Sequence, residues 1–208
     1  MKFYSYLAKD KELGFKEFVE LYEKAYFFEN PDLELERRIV EILNKRSKST
    51  PDKLTPNDII DIMRWKMGSK NYNKEKVVGR STVFAKDIFD VISENVLYEK
   101  NDDASKLLTK LCEVRGIDLT YAITILYFLS GGVYPIYDQF AQVAVNAIVN
   151  NKKIGEKIEC PNASKVAYNK FRDNIKSIEK QYKVKYSENR DIDRALWAYG
   201  HLFYKEKK

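Results

Sequence analysis

Residues 107–147 read LLTKLCEVRGIDLTYAITILYFLSGGVYPIYDQFAQVAVNA. Two apolar helices, about 103–114 and 119–130, flank the four-residue turn Arg115-Gly116-Ile117-Asp118, and Gly131-Gly132 stops the second. A further helix starts after Pro135 and carries Asp138 at its N-terminal end. So tight a turn between helices needs a residue that tolerates unusual φ and ψ, and Gly116 supplies it. The N-terminus of the next helix presents backbone N–H groups suited to a phosphate oxygen. A plain αα-hairpin packed inside a bundle would show the same pattern. Asp138 likewise has two readings: a functional carboxylate, or an ordinary negative charge at the favourable end of a helix dipole.

Outward from this stretch the pattern stays helical. Phe15, Phe18, Val19, Tyr22 and Tyr26 recur at three- and four-residue steps and predict a helix over about 12–28. Asn30-Pro31 breaks it, and another helix covers about 33–43. Thr55-Pro56 reads as an N-cap followed by a first-turn proline. It opens a helix through Ile59, Ile60, Ile62, Met63 and Trp65 that ends near Gly68. Helices over about 81–98, 162–182 and 188–204 complete the chain. There is no internal repeat, no low-complexity tract and no convincing sheet, so the expected class is all-α. In the last helix Ile192, Leu196, Tyr199 and Phe203 share an apolar face, Trp197 reads as core, and Arg190, Asp191, Asp193 and Arg194 form local ion pairs.

The 208 residues suffice for one large domain or two small lobes with a buried core. No apolar run reaches the roughly 18 residues that span a bilayer. The start lacks a signal-peptide core, so no membrane association and a cytoplasmic location are expected. Two cysteines, Cys112 and Cys160, cannot build a four-thiolate zinc or iron–sulfur site, and Cys112 reads as a buried thiol. The single His201 excludes a His-rich metal centre. The net charge is +6, and Lys45 to Arg80 holds ten basic residues against four acidic ones. That concentration suits a polyanion-facing surface, though a solvated basic face has the same composition.

The central stretch resembles the helix-hairpin-helix segment of the DNA glycosylase superfamily that includes endonuclease III and the adenine-mismatch glycosylases. There a Leu-Pro-Gly-Val-Gly-x-x-Thr-Ala hairpin leads, after a fixed interval, to Pro-Ile/Val-x-Asp. Here Leu111, Gly116 and Ala122 occupy hairpin positions, and Pro135-Ile136-Tyr137-Asp138 follows at the family spacing. The resemblance covers about 40 residues and implies a two-lobed fold, with one lobe at about 55–150 and the other at 1–54 plus 151–208. It also implies DNA as partner, a monomer, and an enzyme that flips a modified or mismatched base into a pocket between the lobes. Asp138 would then stabilise positive charge on the sugar as the base leaves, and direct the attacking water.

Related lyases carry a nucleophilic lysine where this chain has Thr120, so hydrolysis without a Schiff base is implied. Asp61, in Ile59-Ile60-Asp61-Ile62-Met63, matches the early pocket helix and would protonate the leaving base. It also reads as a solvent-side charge paired with a neighbouring Lys or Arg, the reading favoured by the residues alone. Trp65 wedges against a base or simply packs. Arg64, Lys66, Arg115, Gly116, Ile117, Asp118 and Thr120 are the implied DNA contacts. No iron–sulfur cluster or other cofactor is expected, and a monovalent cation at the hairpin carbonyls is compatible with the family pattern.

Three departures shape the alternative. The hairpin's second glycine is Asp118, which puts negative charge where a phosphate approaches. Its proline is Arg115, and an arginine common five residues after the catalytic Asp is Val143. These fit either a divergent N-glycosylase or a non-catalytic helix-hairpin-helix module that binds DNA or assists another protein. A protein-interaction domain with a merely solubilising basic surface is the third reading.

Overall fold

The computed structural model describes residues 1–8, 11–30, 32–46, 53–67, 85–93, 101–188 and 190–205. Among the described residues the protein is all-α apart from a short ribbon in which β1 (Phe3–Tyr4) pairs antiparallel with β2 (Glu12–Leu13). The helices are α1 (Phe15–Glu29), α2 (Leu33–Arg46), α3 (Pro56–Met67), α4 (85–93), α5 (Asn101–Glu113), α6 (Leu119–Leu129), α7 (Gln139–Val149), α8 (Lys165–Tyr182) and α9 (Arg190–Lys205). Among the described residues, no helix is long and apolar enough to cross a membrane.

The ribbon is absent from the sequence reading. Its cause is tertiary: Phe3 packs against Phe15, Phe18 and Tyr182, and burying that ring holds the first residues extended.

The chain divides into two compact units, residues 32–134 and residues 1–31 with 135–208. The expected lobe limits lie instead at 54/55 and 150/151. The difference follows from packing. Ile39, Ile42 and Leu43 of α2 are buried and α2 lies against α3 and α6, so it belongs with the hairpin. α7 lies against α9 and belongs with the C-terminal helices.

In the 32–134 unit α6 is the central element. Every residue from Ala122 to Leu129 is buried, as expected of a helix that is apolar all round. The Arg46 guanidinium closes its C-terminal end, Nη2 donating to the Leu129 carbonyl at 2.7 Å. α3 starts in a capping box: the Thr55 N–H and hydroxyl donate to Asp58 Oδ2, each at 2.8 Å, and the Asp58 N–H donates to Thr55 Oγ1 at 3.2 Å. Cys112 is exposed, which corrects its reading as a buried thiol. Leu107, Leu108 and Leu111 form the buried face of α5, and Cys112, one position beyond Leu111, turns away from it.

In the other unit α9 packs along α1 and α7. Its contact with α7 is close: a Cβ on Gly200 would fall 1.9 Å from the Phe140 carbonyl oxygen. Ile192, Leu196, Tyr199 and Phe203 are buried, as their spacing predicts. Trp197, read as core, is only half-buried; it stands edge-on to Tyr26 and Phe140 and lies flat on His201. The expected local ion pairs form between Arg190 and Asp193 and between Arg194 and Asp191. Arg194 also reaches Glu23 of α1 at 3.1 Å. Burial, and then the neighbouring Asp191, push the Glu23 carboxyl up, against the pull of Arg194.

Candidate hairpin and carboxylate sites

The hairpin joins α5 to α6 through residues 114–118. Gly116 takes φ 88°, a left-handed conformation that costs a glycine nothing, and the Ile117 N–H returns to the Val114 carbonyl at 3.0 Å. Ile117 is buried and anchors the turn, while Arg115, Gly116 and Asp118 are exposed.

The donors at the start of α6 are arranged differently from the sequence expectation of N–H groups open to a phosphate. Asp118 is the N-cap, and its Oδ1 accepts from the Thr120 N–H at 2.8 Å, the Tyr121 N–H at 3.1 Å and the Thr120 hydroxyl at 2.6 Å. The Asp118 carboxylate thus itself occupies the place an anion would take at the start of α6. A phosphate there would meet a carboxylate and two committed N–H groups. Of the hairpin carbonyls, those of Leu111 and Val114 accept the turn's own N–H groups, so a monovalent cation would draw on the others.

Asp61 lies on α3 with Oδ2 3.1 Å from Arg38 Nε and Oδ1 3.7 Å from Arg64 Nη1. Arg38 also holds the buried Asp58 at 2.6 Å and Glu41 at 3.5 Å. Burial opposes the Arg38 charge, but the hydrogen bond to Asp61 and the charges of Asp58 and Asp61 outweigh it and raise its pKa. To protonate a leaving base, Asp61 would have to give up these cations. Trp65 donates from Nε1 to Glu36 Oε1 at 2.6 Å and stands edge-on to Phe128, so both its polar edge and its ring serve packing. Lys66 is half-buried on the last turn of α3. Of the basic stretch, Lys48, Lys70, Lys74, Lys76 and Arg80 lie outside the described residues.

Asp138 belongs to the other compact unit. It is the N-cap of α7, half-buried, with Oδ1 accepting from the Phe140 and Ala141 N–H groups, both at 2.9 Å. The residues around it are fixed. Ile136 and Tyr137 are buried before it, and the Phe140 ring is held by Trp197 and His201. One turn further on, the nearly buried Gln142 donates to the Tyr137 hydroxyl at 2.7 Å. Burial, and then Cys160, push that phenol up.

Sequence reasoning missed Asp58 and Gln142. The Thr-Pro-Asn-Asp run at 55–58 carried the capping-box signal for Asp58. Gln142, four residues after Asp138 on the same helical face, was within reach of the same spacing argument. Compared with protein-family models, characterised proteins and solved structures, the chain finds no match in any of the three.

Proposed function

We propose that this protein is a DNA-binding N-glycosylase of the helix-hairpin-helix type that hydrolyses the bond between deoxyribose and a modified or mismatched base. The observation that carries the reading is the seating of Asp138. Two backbone N–H groups orient a half-buried carboxylate at the mouth of an apolar helix, behind a buried Ile-Tyr pair. A carboxylate so fixed suits an oxocarbenium-like transition state, because its orientation costs nothing when charge develops on the sugar. The base would leave with the electron pair of the glycosidic bond. Water would add to the anomeric carbon and lose its proton, leaving an abasic site. Thr120 in place of a lysine supports hydrolysis rather than Schiff-base chemistry.

A second reading, a non-catalytic DNA-binding or accessory module, is favoured by Asp118, whose carboxylate takes up the hairpin donors. One experiment separates the two. Duplexes bearing a panel of modified and mismatched bases are incubated with the protein, and abasic sites are then cleaved with alkali. The enzyme reading expects strand scission on at least one duplex, lost in Asp138→Asn. Salt-sensitive binding without base release from any duplex would establish the accessory module instead.

A further inference from the structure

Between Lys165 and Lys185 the chain carries seven basic residues, Lys165, Lys170, Arg172, Lys176, Lys180, Lys183 and Lys185, against Asp173 and Glu179. The structure gives this excess a shape. Lys165, Arg172, Lys176 and Lys180 fall on α8 at three- and four-residue multiples, which places them on one face. At 1.5 Å per residue the row is about 22 Å long. Lys183, the left-handed C-cap, extends it. Ala167, Tyr168, Phe171, Ile175 and Ile178 are buried, so the lysines of the row look outward, while the half-buried Arg172 lies with its guanidinium over the Tyr168 ring at 5.8 Å. Lys165, Lys176, Lys180 and Lys183 are exposed, and Asn169 completes the row at the one position without a cation.

Among the described residues, Lys170, Lys176, Lys180 and Lys183 form no ion pair. Of the two acids, Glu179 is directed to the backbone, its Oε1 accepting from the Tyr186 N–H at 2.7 Å. Complementing the helix dipole would account for Lys180 and Lys183 in the last turn. It does not account for Lys165, Arg172 and Lys176 further back.

We propose that the outer face of α8 is a docking surface for the sugar–phosphate backbone of duplex DNA. A duplex carries one negative charge per about 1.7 Å of axis, both strands counted, so a length of axis equal to this row holds roughly a dozen phosphates, of which those on the near side face the row. The exposed side chains beside the row are Asp173 and Ser177, and Val166 is the exposed apolar residue of the helix. A membrane-surface helix needs an apolar face to insert, and the apolar face of α8 is committed to its own core. The contact reads charge and spacing, not sequence. It shares with the proposed function its partner, DNA, and none of its chemistry.

The test measures binding of a labelled duplex with no modified base, by fluorescence anisotropy, between about 50 and about 200 mM salt. Lys176→Glu/Lys180→Glu is compared with Lys16→Glu/Lys24→Glu, which makes the same net charge change on α1; circular dichroism checks that both fold. The α8 pair is expected to weaken binding at least about tenfold and to flatten the salt slope by about two, near 0.9 for each phosphate no longer neutralised, while the α1 pair leaves the slope unchanged. Equal effects of the two pairs would overturn the proposal. So would no binding of the wild-type protein to duplex DNA, or tighter binding to duplex RNA or anionic phospholipid vesicles with the same sensitivity to the α8 pair. Stripe-dependent binding without base release from any substrate would sink the enzyme reading alone; base release with stripe-independent binding would sink this one alone.

Discussion

Asp118 and Asp138 perform the same local task at the starts of α6 and α7. Each is an N-cap in extended conformation whose Oδ1 satisfies two orphan N–H groups. Replacing such a cap by alanine costs about 0.5–2 kcal/mol, whereas asparagine caps as well as aspartate. Asp138→Ala is therefore expected to lower the unfolding free energy by that amount, read as a lower urea midpoint, and Asp138→Asn to leave the midpoint unchanged. If base release disappears in both while only the alanine protein is destabilised, the carboxylate's charge has a role beyond capping. Asp118→Asn separates charge from geometry at the hairpin in the same way. It keeps the cap to Thr120 and Tyr121 but removes the anion from the exposed turn. Duplex affinity at low salt is expected to rise, since one repulsive charge near the phosphates is gone. Unchanged or weaker binding in an anisotropy titration would place the hairpin away from the DNA.

At the scale of elements, the seat of Asp138 depends on how α9 meets α7. Gly200 leaves no room for a Cβ beside the Phe140 carbonyl, and Phe140 supplies one of the N–H groups that hold Asp138. Backbone cannot rotate aside as a side chain can, so Gly200→Ala must push the helices apart. It is expected to destabilise by at least the about 1–3 kcal/mol typical of overpacking, read as a lower urea midpoint, and to reduce base release from any active substrate. A midpoint equal to that of the wild type would show that the helices separate freely. Nothing in a single sequence marks such a glycine, because its constraint lies some 60 residues away. The hairpin was legible for the opposite reason: Gly116 sits between two apolar runs, and punctuation of that kind is local. Thr55-Pro56 was legible as a helix start, but the partner of Asp58, Arg38, is tertiary. The ribbon of Phe3 and Tyr4 stayed hidden because ring burial, not strand patterning, creates it. The α8 row was overlooked because a whole-chain charge balance averages it against acidic residues elsewhere.

At the scale of the whole molecule, the tyrosines set an alkaline limit. Tyr22, Tyr137, Tyr182 and Tyr199 all have raised phenol pKa values, with burial the largest cause in each. All four lie in the unit formed by residues 1–31 and 135–208. Tyr22 donates its hydroxyl to the Tyr4 carbonyl at 2.7 Å, and an ionised phenolate could not. Unfolded, each phenol ionises near pH 10, so above that point the unfolded chain releases protons that the folded chain keeps. Stability from these groups is fully present below the ordinary phenol range and declines as pH rises through it. The urea midpoint is expected to hold up to about pH 9 and to drop with increasing slope as pH rises through about 10 to about 11. Tyr199→Phe removes one of the four without emptying the space its ring fills. It should flatten that decline by up to about 1.4 kcal/mol per pH unit, the weight of one proton. A Tyr199→Phe protein with the wild-type pH slope would mean that the Tyr199 phenol ionises as readily in the folded chain as in the unfolded one.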